Sequence, residues 1–207
     1  MVVVVSTRED LTDPEVFAEE ERLVQRAVEK RRREFLTGRA CARQALRRLG
    51  VASVAIPIGE RGEPLWPGGL VGSITHCTGY RACAAAWSND VLSVGIDAEV
   101  NEPLPAGVLS QVAFGREIRM VAQRDAGVCL DRLLFSAKEA VYKAWFPLTK
   151  RWLGFEDVDL SVDVASGAFH ARLLVPGPVV NGERLTEFHG CWGVQAGIVA
   201  AATVVLP

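Results

Sequence analysis

Hydrophobic and polar positions follow two rhythms along this chain, one with a helical period and one with a strand period. After the apolar run "MVVVV", the segment "TDPEVFAEEERLVQRAVEKRRREF" has Thr12 and Asp13 ahead of Pro14, a capped helix start with proline in its first turn. The next segment, "TGRACARQALRRLG", predicts a further helix with Thr37 as cap and Gly50 as stop. Ala42, Ala45, Leu46 and Leu49 fall at i, i+3, i+4 and i+7, the spacing of a buried stripe. Arg39, Arg43 and Arg47 recur every fourth residue on another face and stack there as a basic ridge.

From residue 51 the pattern shortens to strand-like runs, "VASVAIPI", "LVGSIT", "RACAAAW" and "VLSVGID", punctuated by "GERGEPLWPGG" and "SND". Helical periodicity returns in "RLLFSAKEAVYKAW". Beyond it, "DVDLSVDVASGAFHARLLV" predicts a hairpin about Ser166-Gly167, and "CWGVQAGIVAAATVVL" one or two closing strands. Helix-then-strands thus occurs twice, and the two helices share similar beginnings, "LTGRA" and "FSAKE". The repeated order predicts an α+β chain of two related lobes, residues 1–100 and 101–207, with a ligand between the halves.

Composition narrows the class. The chain has 207 residues, 49% hydrophobic and 23% charged, with a net charge of −2, which suits a globular protein and marks no global attraction to nucleic acid or membrane. The charge is uneven: Arg22, Arg26, Lys30 to Arg33, Arg39, Arg43, Arg47 and Arg48 form an early basic block. Five cysteines without a C-x-x-C pair indicate neither a zinc ribbon nor a disulfide framework, and read as buried small hydrophobes in a reducing compartment. Neither the opening run nor "AGIVAAATVVL" is a signal or a span, so the expected location is the cytoplasm. A hydrolase glycine elbow and a P-loop are also absent from the sequence.

Two stretches carry candidate chemistry. In "SVGIDAEV", Asp97 and Glu99 lie two apart on a strand, so both carboxylates point to one face. Like charges that close repel unless a cation intervenes, and a hard divalent ion takes oxygen ligands. In "FSAKEAVYKAW", the wheel buries Leu134, Ala137, Val141, Ala144 and Trp145 and leaves Lys138, Glu139, Tyr142 and Lys143 opposite. A purely structural account also exists: Ser136-x-x-Glu139 matches a capping box and Glu139–Lys143 an i, i+4 ion pair. Taken with Asp97 and Glu99, however, Glu139 completes an oxygen-donor set beside two lysines, which suits a metal-bound pyrophosphate. The early arginines suit a further phosphate. His76, where "GSITHCTGY" turns from strand to loop, is a possible phosphate donor.

"VGIDAE" followed by "FSAKEAVYKAW", with "RGEP" and "GSITH" upstream in that order, resembles the Sfp/EntD-type 4′-phosphopantetheinyl transferases, closest to the actinobacterial PptT-like group. The likeness spans residues 30 to 160 and includes "KAWFPLTKRWLGFED". It implies a pseudo-twofold α+β fold with coenzyme A in the cleft between two lobes. It further implies Mg²⁺, with Mn²⁺ as the alternative, on Asp97, Glu99 and Glu139, and phosphate contacts from Lys138 and Lys143. Arg31, Arg39 and His76 would hold the 3′-phosphate, with Thr75 among the coenzyme A contacts. Gly62, Glu63 and Pro64 would lie against the adenine.

Two departures qualify the likeness. Glu63 stands where many members carry a basic residue, which leaves only backbone contact there, and Phe135 stands where a tryptophan is common. The implied reaction moves phosphopantetheine onto a serine of an acidic acyl or peptidyl carrier protein, with Asp97, Lys138 and Glu139 as catalytic residues in a monomeric pseudodimer. Rival readings are a coenzyme A-binding sensor without transfer and, through the basic block, a nucleic-acid-binding protein.

Overall fold

The computed structural model describes residues 1–12, 14–123 and 127–207. The chain forms two compact units, Met1–Val91 and Leu92–Pro207. The boundary precedes the expected one at 100/101 because the "SVGIDAEV" strand pairs within the second unit rather than the first.

In the first unit the elements are β1 (Val2–Thr7), α1 (Ala18–Val24), α2 (Glu29–Arg48), β2 (Leu70–Cys77) and β3 (Tyr80–Trp87). The strands form an antiparallel sheet in the order β1-β3-β2. The opening valines thus belong to β1, whose β-branched side chains suit a pleated surface. The α2 stripe expected from the sequence is in place: Ala42, Ala45 and Leu46 are fully buried against Val5, Ile56, Leu70, Cys83 and Ala85.

Three expectations for this unit change. α2 runs unbroken through Thr37, whose hydroxyl accepts the Leu11 amide at 3.1 Å instead of capping a helix. The break falls earlier, after Val24, and α1 begins at Ala18 rather than Pro14; Asp13, half of the expected cap, lies outside the described residues. The basic ridge is not a surface ridge. Arg43 is 1% exposed and donates to both oxygens of the fully buried Glu20 at 2.6 and 2.7 Å. Its other terminal nitrogen donates to the Glu15 carbonyl. Bringing Glu20 onto Arg43 is what folds α1 back along α2.

The third change concerns "VASVAIPI", which is not a strand. Pro57 has no amide to give a ladder, and the neighbouring Ile56 has its N–H on Glu20 Oε1 at 2.8 Å and its carbonyl on Arg39 Nε at 3.3 Å. Side chains satisfy the backbone here in place of a partner strand.

The second unit comprises β4 (Ser93–Val100), α3 (Leu109–Val112), α4 (Glu117–Val121), α5 (Leu130–Thr149), a 3-10 turn (Phe155–Asp157), β5 (Val158–Asp163), β6 (Ala168–Leu173), the short pair β7 (Val179–Val180) and β8 (Glu183–Arg184), β9 (Glu187–Gln195) and β10 (Ile198–Val205). A five-stranded antiparallel sheet has the order β4-β10-β9-β6-β5. Strand alternation had marked β5–β6 and β9–β10. The inward residues Leu160, Phe169, Ala171, Phe188 and Ala201 pack with Leu134, Ala137, Val141, Ala144 and Trp145 of α5. Each unit therefore sets one 20-residue helix against an antiparallel sheet. The cysteines divide: Cys41 and Cys83 are buried, but Cys191 is exposed, on the open face of β9.

Candidate active site

β4 and α5 approach each other without a side chain between them. A Cβ on Gly95 would meet the Ala140 carbonyl oxygen at 1.9 Å and the Ala144 nitrogen at 2.8 Å. Ser93 ties the same strand down by donating to the Ala144 carbonyl at 2.8 Å. Residues two apart share a face, so Asp97 and Glu99 continue the line of Ser93 and Gly95 toward α5. On that helix Glu139 and Lys143 lie one turn apart.

Asp97, Glu99, Glu139 and Lys143 come within electrostatic reach of one another in this way. Lys143 Nζ donates to Asp97 Oδ1 at 2.7 Å and to the Ile96 carbonyl at 3.1 Å. Glu99 accepts from Arg132 Nη1 at 3.1 Å. Arg132, absent from the sequence reading, is held in turn by the carbonyls of Glu102 and Pro103. Its spacing was the available signal, since it lies seven residues before Glu139 on the same helix face.

Burial raises the pKa of Glu99, and Asp97 raises it further against the opposing pull of Arg132 and Lys143. Burial likewise raises Glu139; Lys143 opposes the rise, while Asp97 and Glu99 add to it. Asp97 thus raises the proton affinity of both glutamates, and Glu99 raises that of Glu139. An all-oxygen donor set of this kind fits a hard divalent cation. The three groups are not drawn to within 4.8 Å of one another, a closeness reached among the described residues by a different trio, His170, Glu187 and His189.

Lys138 departs from its expected place. It is not on the solvent side with Glu139 but 3% exposed. Its Nζ donates to Glu117 Oε2 at 2.7 Å, the Phe155 carbonyl at 2.8 Å and the Val112 carbonyl at 2.9 Å. An ammonium has three hydrogens, and all are committed, so no donor remains for a phosphate. Glu117 is also fully buried and accepts the Leu160 and Phe114 amides. An unpaired buried lysine costs several kcal/mol; these acceptors offset that cost while each large apolar neighbour on α5 contributes about 1.5–3 kcal/mol. Ser136 is no cap, because α5 begins six residues before it and its side chain is buried. Lys143, for its part, reaches Asp97 across the elements.

In the first unit, Arg31 Nη1 lies 2.6 Å from His76 Nε2. A guanidinium only donates, so Nε2 accepts. On the other side of the ring, His76 Nδ1 is 3.7 Å from Glu34 Oε2, and Arg81 bridges Glu34 at 3.6 Å and Asp10 at 2.8 Å. Glu34, Arg81 and Asp10 are positioning groups that sequence reasoning missed.

Arg39 is buried, within electrostatic reach of Arg31. Its guanidinium sits 3.9 Å from the Phe35 ring centroid, and burial lowers its pKa to about 10. Thr75 is buried and points to the opposite face of β2 from His76. The "RGEP" turn closes through Gly59 N to the Glu63 carbonyl at 2.8 Å, with Gly62 at φ +84°. Glu63 folds its carboxylate back onto the Arg61 amide at 3.0 Å, which leaves backbone at Gly62 and Pro64 as the part able to line a planar base.

Residues 19–86 match the 4′-phosphopantetheinyl transferase N-terminal domain family, and residues 93–185 match the 4′-phosphopantetheinyl transferase superfamily. The chain is 52% identical over 193 residues to the 4′-phosphopantetheinyl transferase Svp of Streptomyces mobaraensis, covering 92% of this chain and 78% of that protein. It is 50% identical to Npt of Nocardia iowensis (88% and 86% covered) and 48% identical to PptT of Mycobacterium tuberculosis (90% and 85%). Enterobactin synthase component D of Salmonella typhi is 37% identical over 123 residues, 58% of this chain and 50% of that protein. The carboxylate strand and the lysine helix both fall inside the second matched region, and with half of all positions shared across most of three such enzymes, the chain belongs to the 4′-phosphopantetheinyl transferase superfamily.

Proposed function

We propose that this protein transfers the 4′-phosphopantetheine arm of coenzyme A to a serine hydroxyl of an acyl or peptidyl carrier protein. The serine oxygen bonds to the phosphorus that carries the pantetheine arm, the pyrophosphate P–O bond breaks, and 3′,5′-ADP leaves. The observation that carries the reading is the joint presence of Asp97, Glu99 and Glu139 at the β4–α5 contact in a chain half identical to named transferases.

Asp97, Glu99 and Glu139 would hold Mg²⁺, with Mn²⁺ as the alternative. Bound there, the ion supplies charge neutralisation at the pyrophosphate oxygens. Lys143, 28% exposed and with one hydrogen beyond its two contacts, is the lysine able to meet a phosphate; Lys138 is not. Glu139, its proton affinity raised by burial, accepts the serine proton. Arg31 and His76 take the 3′-phosphate, and the backbone of Gly62 and Pro64 takes the adenine. Positioning and charge complementarity carry such a reaction, since phosphoryl transfer asks little covalent chemistry of the protein.

The carrier is expected to be acidic and to meet the exposed part of the basic block, which includes Arg22, Arg26, Lys30, Arg33, Arg47 and Arg48 but not the interior Arg39 and Arg43. No helix of the described residues is long and apolar enough to cross a membrane. We place the protein in the cytoplasm as a monomer.

Intact-mass spectrometry of an unmodified carrier incubated with the protein, coenzyme A and Mg²⁺ tests the reading. A phosphopantetheine-sized gain that EDTA and Asp97→Ala both abolish is expected. Coenzyme A binding with no gain across fatty-acid, polyketide and peptide carriers would instead identify a sensor.

A further inference from the structure

A second cluster of ligating side chains lies outside the carboxylate site. In β6 the core residues Phe169, Ala171 and Leu173 alternate with Ala168, His170 and Arg172, and in β9 the buried Phe188 separates Glu187 from His189. Alternation therefore puts His170, Glu187 and His189 on the outer face of the sheet. The register sets His170 directly opposite His189, with Glu187 two residues along the same face. Gly95 and Asp97 face α5, and Asp97 is level with Ala201 and Trp192 across β10 and β9. Trp192, an even-numbered position of β9, shares that face, so the odd-numbered Glu187 and His189 lie on the opposite one.

We propose that His170, Glu187 and His189 form a site for a divalent transition-metal ion of the zinc class. Glu187 already collects both imidazoles: His170 Nε2 is 2.6 Å from its Oε2, and His189 Nε2 is 3.0 Å from its Oε1. All three ligand atoms lie within 4.8 Å of one another. The side chains are 35%, 43% and 71% exposed, so rotation alone can draw them in and an ion can reach them from solvent. Two imidazole nitrogens and one carboxylate make a three-ligand set that zinc uses with solvent in the fourth position.

Neutral imidazole selects against magnesium, which keeps to oxygen donors. The two faces of the sheet would thus divide metals by donor softness. Binding needs no net proton release from neutral rings: each Nε2 proton moves to Nδ1 as the lone pair turns to the metal. The bound ion would clip β6 to β9 across the excursion that carries β7 and β8. Cys191 is exposed on the same face, two residues beyond His189, so the test separates it from the trio.

The test is calorimetric titration of the full chain with Zn²⁺ in metal-stripped buffer holding excess Mg²⁺, with Co²⁺ absorption as a second readout. One equivalent is expected to bind wild type, Asp97→Ala and Cys191→Ser alike. His170→Gln and His189→Gln should each weaken it by more than about tenfold, the lower range seen even for groups that merely support ligands. A thermal shift on adding Zn²⁺ should vanish in His189→Gln, an exposed position where the fold is checked by circular dichroism. No Zn²⁺ binding to wild type, an equivalent that survives both histidine changes with less than that loss, or one lost with Cys191→Ser or Asp97→Ala alone would overturn the proposal.

Discussion

Gly95 and Ala140 meet backbone to backbone: a Cβ on the first would stand 1.9 Å from the carbonyl oxygen of the second. The glycine is needed here for closeness, since its φ is not in the left-handed region. Without that contact, the strand bearing Asp97 and the helix bearing Glu139 would be separated by at least a side chain.

Gly95→Ala is therefore expected to destabilise the second unit by at least about 1–3 kcal/mol, the range for overpacking a close-packed core. Transfer activity should fall further than stability alone accounts for, because the carboxylates move apart. Urea unfolding and the rate of carrier modification, both measured below the unfolding transition, check the two effects separately.

Lys138→Met leaves Glu117 buried with no cation and should cost about 3–5 kcal/mol. Removing both charges in Lys138→Met/Glu117→Leu should recover much of that loss, although the Leu160 and Phe114 amides then lose their acceptor. Coenzyme A affinity of the folded double variant should stay within about twofold of wild type, since the lysine has no hydrogen left for a phosphate. A loss of an order of magnitude, read by calorimetry, would return Lys138 to the ligand.

The raised pKa values of Glu99 and Glu139 predict how metal and pH trade. Both folded values lie above the ordinary 4.5, so in EDTA the folded state binds more protons than the unfolded state from 4.5 upward through the folded values. Stability from these two groups is greatest below that window and declines as pH rises through it. Asp159, lowered by its bonds to Arg172 and Arg116 against the opposing effect of burial, acts in the opposite sense below 3.8. Urea midpoints should show the decline in wild type and a smaller one in Glu139→Gln. Added Mg²⁺ should stabilise more as pH rises, because it competes with those protons.

If the exposed arginines meet an acidic carrier, Arg22→Glu/Arg26→Glu should weaken carrier binding and flatten its salt dependence while coenzyme A affinity is kept. The Michaelis constant for the carrier, measured from low to physiological ionic strength, reads this directly. Equal weakening at all salt concentrations would point to an apolar contact.

Much of this arrangement is legible from local pattern, and what is not has definable causes. Short apolar runs mark β3 and β4, which are buried on both faces over most of their length, while alternation marks β5 and β6, which bury one face. Asp97 and Glu99 follow from the same pleat, and Glu139 and Lys143 from the helical period. The helical wheel sets Lys138 with the outer residues, although it lies four residues after Leu134 and three before Val141, both fully buried. Its acceptors come from Glu117, Val112 and Phe155, and the intervening sequence has no periodicity to announce them. The same limit explains Arg43, whose partner Glu20 lies on another helix, and Ile56, whose backbone is satisfied by side chains. Local pattern reports which face is buried; it is silent on which distant group makes a buried charge tolerable.

The sheet order places β4 at an edge, hydrogen-bonded to β10, with Asp97 opposite Ala201. During synthesis, the strand that bears the carboxylates leaves the ribosome long before the strand that fixes it. A nascent chain halted between Glu187 and Ile198 would hold every residue of the carboxylate cluster and lack the one strand on which β4 is laddered.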